Sequence, residues 1–158
     1  MEPNSDPAGP HPDACFDADW LALRAAADSA ARAPRLEALA TAWLHGRRQD
    51  RAHAPLRLVD LGCGSGANPR HLAPRLPGPQ RWTLLDHDPG LLARARRRCG
   101  GLVDADGMPL RIDTRCQDLG TLEADTLAGA ALVCASALLD LMAARWLAHL
   151  ADACAQTG

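Results

Sequence analysis

The chain has 158 residues, enough for one domain with a buried core, and its 47% hydrophobic and 23% charged residues are ordinary for a globular protein. A net charge of −2 supplies no basic excess for nucleic acid or an anionic membrane, and no run approaches the ~18 apolar residues of a membrane-spanning helix. Its six cysteines include no C-x-x-C pair, which argues against a zinc site or a disulfide framework and for a reducing cytoplasm.

Residues 1–14 are polar, hold four prolines and read as a disordered leader. Residues 15–54 read as a helical cap. Asp17 is placed to cap a helix through Trp20, Leu21, Leu23 and Ala27 to about Ala31. Pro34 opens a second helix with Leu36, Leu39 and Trp43 at helical spacing, and the polar segment 46–55 follows as a linker.

From residue 55 to the last residue the pattern becomes strand, glycine loop, helix, strand, helix. Leu56–Leu61 is a short, mostly apolar run, as expected of a central parallel strand covered on both faces. Asn68 and Pro69 look like a cap and first residue of a helix that reaches Leu76. Trp82–Leu85 is a second strand. Asp88-Pro89 repeats the cap-and-proline device for a helix that places Leu91, Leu92, Ala95 and Cys99 on one face. Leu110–Cys116 alternates apolar and polar residues, the mark of a sheet edge. Ala130–Ala135 is continuously apolar, and Ser136 is placed to cap a last helix with Leu139, Met142, Ala143, Trp146 and Leu150 inward. Alternating strands and helices predict a doubly wound parallel α/β sheet, and an edge-like third strand predicts the spatial order 3-2-1-4.

The segment Val59-Asp60-Leu61-Gly62-Cys63-Gly64-Ser65-Gly66 leaves a strand and enters a helix. Glycines there let the backbone turn sharply and approach a ligand closely. Two ligands fit the spacing. Gly62, Gly64 and Ala67 satisfy the G-x-G-x-x-A pattern of dinucleotide binding, which would make the chain an NAD-dependent oxidoreductase. Asp60 argues the other way, because a carboxylate beside the loop repels a pyrophosphate and suits an ammonium group, as in the methionine part of S-adenosylmethionine. Asp86, twenty positions after Gly66, ends the second strand where a carboxylate can accept both ribose hydroxyls of either ligand. His87 beside it is a candidate to pack on the adenine. Arg94, Arg96, Arg97 and Arg98 read as a solvated helix face. Asp140 and His149 are titratable groups that could serve a substrate.

VDLGCGSG, then LLDHD, then CQDL resemble the class I S-adenosylmethionine-dependent methyltransferases over residues 56–154. The resemblance implies a Rossmann-like fold and methyl transfer to a small-molecule acceptor. It implies that Asp60, Gly62, Cys63, Gly64 and Gly66 hold the methionine end and that Asp86 binds the ribose. Asp118 would accept from the adenine amino group beside the Leu119 backbone. Cys134, Ala135 and Ser136 would flank the methyl donor, and Arg24 in the helical cap would pair with the cofactor carboxylate. The family sheet has seven strands and this sequence offers four, so the resemblance also implies an incomplete fold. A cofactor-binding fragment or pseudoenzyme without catalysis is then an alternative, and self-association through the exposed edge of the fourth strand is expected.

Overall fold

The computed structural model describes residues 23, 27, 28, 30–50 and 54–157. The leader 1–14, Asp17, Trp20, Leu21 and Arg24 lie outside the described residues. Of the expected first helix, Leu23, Ala27, Asp28 and Ala30 are described, and all four are helical.

Proline fixes the first φ of α1 (Pro34–Asp50), and the helix runs into the segment 46–55 expected to be a linker, as far as Asp50. Its apolar residues point differently from their expected stripe: Leu44 is fully buried, whereas Leu36, Leu39 and Trp43 are exposed. The Trp43 indole still reaches the sheet, donating to the Ala131 carbonyl at 2.9 Å. A 2.8 Å contact between His71 Nε2 and Glu37 ties α1 to α2 (Ala67–Leu72).

Four parallel strands, β1 (Leu56–Leu61), β2 (Gln80–Asp86), β3 (Arg111–Cys116) and β4 (Leu132–Ala135), lie in the order β3-β2-β1-β4, as the sequence pattern predicts. Side chains alternate across the pleat, so Leu56, Leu58, Trp82 and Leu84 join one core with Leu44, Leu72, Leu92 and Ala95. Val59, Leu61 and Leu85 join a second core on the other face with Leu127 and Trp146. The central pair β1 and β2 is buried almost throughout, whereas β3 is largely exposed and β4 only half-buried. Among the described residues β4 pairs only with β1, so its other edge is unpaired, as the strand order implies.

Helix α3 (Pro89–Cys99) follows its sequence signal: Asp88 Oδ1 accepts from the Gly90 and Leu91 amides, and Leu91, Leu92, Ala95 and Cys99 are buried. Three other helix boundaries differ. Gly66, not Asn68, is the N-cap of α2, and α2 ends at Leu72 in a 3-10 turn over Ala73–Arg75. Short elements unforeseen in the sequence, a 3-10 turn at Leu119–Thr121 and α4 (Ala124–Leu127), join β3 to β4. The last helix, α5 (Ala144–Thr157), begins eight residues after Ser136, so Ser136 is not its cap. A loop with a 3-10 turn at Leu139–Leu141 intervenes, and Ala137 in it takes a left-handed φ of 52°, a conformation that stops a right-handed helix.

Candidate functional site

A cavity of about 660 Å³ opens above the C-terminal ends of the strands. Its walls include Gly62–Ser65, Ala67 and Asn68 from the glycine loop, Asp86, His87 and Leu91 beyond β2, and Leu119 with Ser136–Leu138 beyond β3 and β4. Asp28 and Arg32 face it from the segment before α1. This is the crevice in which doubly wound sheets bind ligands, and its volume lies in the usual range for a small-molecule site.

The glycine loop is held from below. Gly66 has φ 83°, and a Cβ there would approach Cys99 Sγ to 2.8 Å, so glycine lets the loop settle directly on α3. Asp86, 5% exposed, fastens the loop to β2: its Oδ2 accepts from the Gly64 amide at 2.8 Å, and its Oδ1 accepts from the Asp88 amide at 3.0 Å. Arg98 donates to Ser65 Oγ at 3.0 Å, so one arginine of the supposed solvated face braces the loop.

Asp60 lies beneath the loop, fully buried, and is not among the residues lining the cavity. The Asn68 amide donates to its Oδ1 at 2.7 Å, and Cys134 Sγ lies 3.6 Å from the same oxygen. Its Oδ2 is buried with no hydrogen-bond partner among the described residues. Burial, chiefly, raises the Asp60 pKa to about 7, against the lowering effects of Asn68, Cys134 and Arg32 and with a further push from Asp86. Burial and the neighbouring Asp60 charge push the Cys134 thiol up, and burial with the Asp60 and Asp86 charges does the same for Cys63, so both are neutral thiols rather than nucleophiles.

The opposite wall departs further from expectation. Asp118 is exposed, and its Oδ1 accepts from the Gly120 amide at 2.8 Å in a local turn; Leu119, not Asp118, lines the cavity. Ser136 lines it as an exposed loop residue, whereas Ala135 stays in β4 paired with Leu61. Asp140 also faces the cavity, from the 3-10 turn rather than the last helix; His149, on α5, contacts the Leu122 carbonyl at 3.3 Å. Sequence reasoning missed Asn68, Arg98 and Arg32 as site residues. Asn68 was legible only as a cap, although a polar residue in the first turn of the helix after a glycine loop is also placed to face the strand end. Arg24 lies outside the described residues.

Residues 58–158 match the family of methyltransferase domains. A trans-aconitate 2-methyltransferase from Methylobacterium nodulans is 49% identical over 50 residues, which are 32% of this chain and 19% of that protein. The structure of a magnesium protoporphyrin IX methyltransferase from Synechocystis PCC 6803 with bound SAM is similar at TM-score 0.52 and 16% identity, over 92% of this chain and 61% of that one. A sugar N-methyltransferase from Streptoalloteichus sp ATCC 53650 is similar at TM-score 0.52 and 19% identity, over 99% and 55%. The likeness to these two structures is one of fold, and the chain spans little more than half of their length.

Proposed function

We propose, since the chain belongs to the methyltransferase-domain family, that it binds S-adenosylmethionine in the cavity above the glycine loop and serves methyl transfer to a small-molecule acceptor. The observation that carries this reading is the buried Asp60 with its orphaned Oδ2. A carboxylate poised near half-ionisation under a glycine loop favours a cationic ammonium above it and disfavours a pyrophosphate.

The residues present fit such a cofactor. Asp86 has a lone pair left on each carboxylate oxygen after the Gly64 and Asp88 amides, enough to accept from two ribose hydroxyls. His87, Leu91 and Leu119 frame the space for the adenine. Gly62, Cys63 and Gly64 offer the methionine end a wall without bulky side chains. Arg32, which lines the cavity and acts on Asp60, is a second candidate, beside Arg24, to pair with the cofactor carboxylate. The bound cofactor supplies an electrophilic methyl on a sulfonium that leaves as a neutral thioether. The chain's contribution is then alignment of the acceptor and exclusion of water. Ser136 and Asp140 are the polar groups of the far wall that face the acceptor side.

Among the described residues β4 pairs only with β1, and its LVCA sequence carries no charge. This free edge supports pairing with a second copy, which light scattering at several concentrations checks: a strictly monomeric chain removes that part of the reading.

Calorimetry with S-adenosylmethionine, S-adenosylhomocysteine and NAD tests the main reading. Saturable binding of the first two and not of NAD is expected. Binding of NAD alone refutes it.

A further inference from the structure

At the other end of the sheet the register brings three arginines into one row. Arg57 of β1 stands opposite Arg81 of β2, and Arg81 opposite Arg111 of β3. Neighbouring strands are about 4.8 Å apart, so three cations are spread over roughly 10 Å on one face. Like charges directly opposite destabilise a sheet. Four positions further along β3, and therefore on the same face, is Arg115.

The charges are only partly balanced. The Arg57 guanidinium donates to the Thr126 and Ala128 carbonyls, and Arg81 Nε lies 2.8 Å from Asp113 Oδ2. Among the described residues no hydrogen bond or ion pair engages the side chains of Arg111 and Arg115. Burial, then the Arg115 and Arg81 charges, hold the Arg57 guanidinium below its ordinary pKa. A half-open cavity of about 430 Å³ lies over this face, lined by Arg57, Arg81, Thr83, Asp113, Arg115 and Asp125 among others. Arg57, Arg81 and Arg111 sit near the N-terminal ends of their strands and Arg115 near the C-terminal end of β3, and none of the four lines the glycine-loop cavity.

We propose that this cavity binds a small polyanion through at least two oxyanion groups, phosphate or carboxylate. Planar guanidiniums grip such groups through paired N–H donors; of the lining arginines Arg115 is unengaged among the described residues and Arg57 and Arg81 are partly compensated, while Arg111, outside the lining, adds its charge to the row. The Thr83 hydroxyl adds a neutral donor on the same face. The volume admits a ligand of metabolite size and sets aside a folded partner. An anion bound here offsets the repulsion built into the row.

Calorimetry on the full chain with tripolyphosphate and, separately, citrate at matched ionic strength tests the site. Saturable binding of at least one is expected, and the preferred probe distinguishes phosphate from carboxylate. Arg81→Gln and Arg115→Gln should each weaken it at least tenfold while S-adenosylhomocysteine binding stays unchanged. Arg111→Gln should melt no lower than the parent without anion and gain less from added anion. Arg98→Gln, in the other cavity, should leave polyanion affinity intact. Absence of saturable binding, or binding lost in Arg98→Gln and kept in Arg115→Gln, overturns the proposal.

Discussion

The cavity has two walls built by different means. The wall from β1 and β2 is anchored in the core: Asp60, Asn68 and Asp86 are buried, and each is hydrogen-bonded to a residue distant in sequence. The wall from residues 118–121 and 136–142 is built of short turns whose polar side chains are exposed, and Asp118 among them bonds locally. The first wall can therefore hold a ligand at fixed geometry. The second can change with little consequence for the fold, which suits the side that meets a variable acceptor.

The largest effect expected from this contrast is a pH dependence of stability. The Asp60 pKa is raised to about 7 in the folded chain, against about 3.9 unfolded, so the folded state holds a proton that the unfolded state has lost. The contribution of Asp60 to stability is full below about pH 4 and is lost as pH rises to about 7, a change on the order of 4 kcal/mol. Denaturant titrations of Asp60→Asn should lack this slope. A parent whose stability rises over that window contradicts the burial of an uncompensated carboxylate.

Gly66→Ala comes next. Left-handed backbone costs an L-residue about 1–2 kcal/mol and overpacking about 1–3 more, and the new Cβ would lie 2.8 Å from Cys99 Sγ. A loss of about 3 kcal/mol is expected in chemical unfolding. Gly129→Ala, before β4, has equally left-handed backbone with open space around it, so it should lose only about 1–2 kcal/mol. Equal losses would remove the distinction between a packed and an open wall.

Much of the first wall was legible in the sequence because its signals are local. Asp88-Pro89 encodes its own cap, and the apolar run Leu56–Leu61 can only be a strand covered on both faces. Asn68 misled because its amide could serve the helix or the strand, and the unpartnered need of buried Asp60 decided for the strand. Trp43 and Leu44 show the same limit: both continue the apolar pattern of α1, and packing alone chose Leu44 for the core and sent the Trp43 indole to the Ala131 carbonyl. Beyond β4 the sequence reads as helix from Ser136 onward, since nothing local marks Ala137 for a left-handed conformation.

Smaller effects concern ligand contact. Asp86→Ala removes acceptors for two backbone amides and for the ribose, and binding should weaken by about 2 kcal/mol or more, roughly thirtyfold. Asp118→Ala deletes one exposed turn bond, worth about 1 kcal/mol of stability at most, and should leave binding near that of the parent.

Calorimetric titration of S-adenosylhomocysteine into the parent, Asp86→Ala and Asp118→Ala compares the walls most directly. The anchored-wall account predicts tight binding to the parent, a loss of tenfold or more in Asp86→Ala, and near-parent affinity in Asp118→Ala. Near-parent affinity in Asp86→Ala together with a large loss in Asp118→Ala would contradict it.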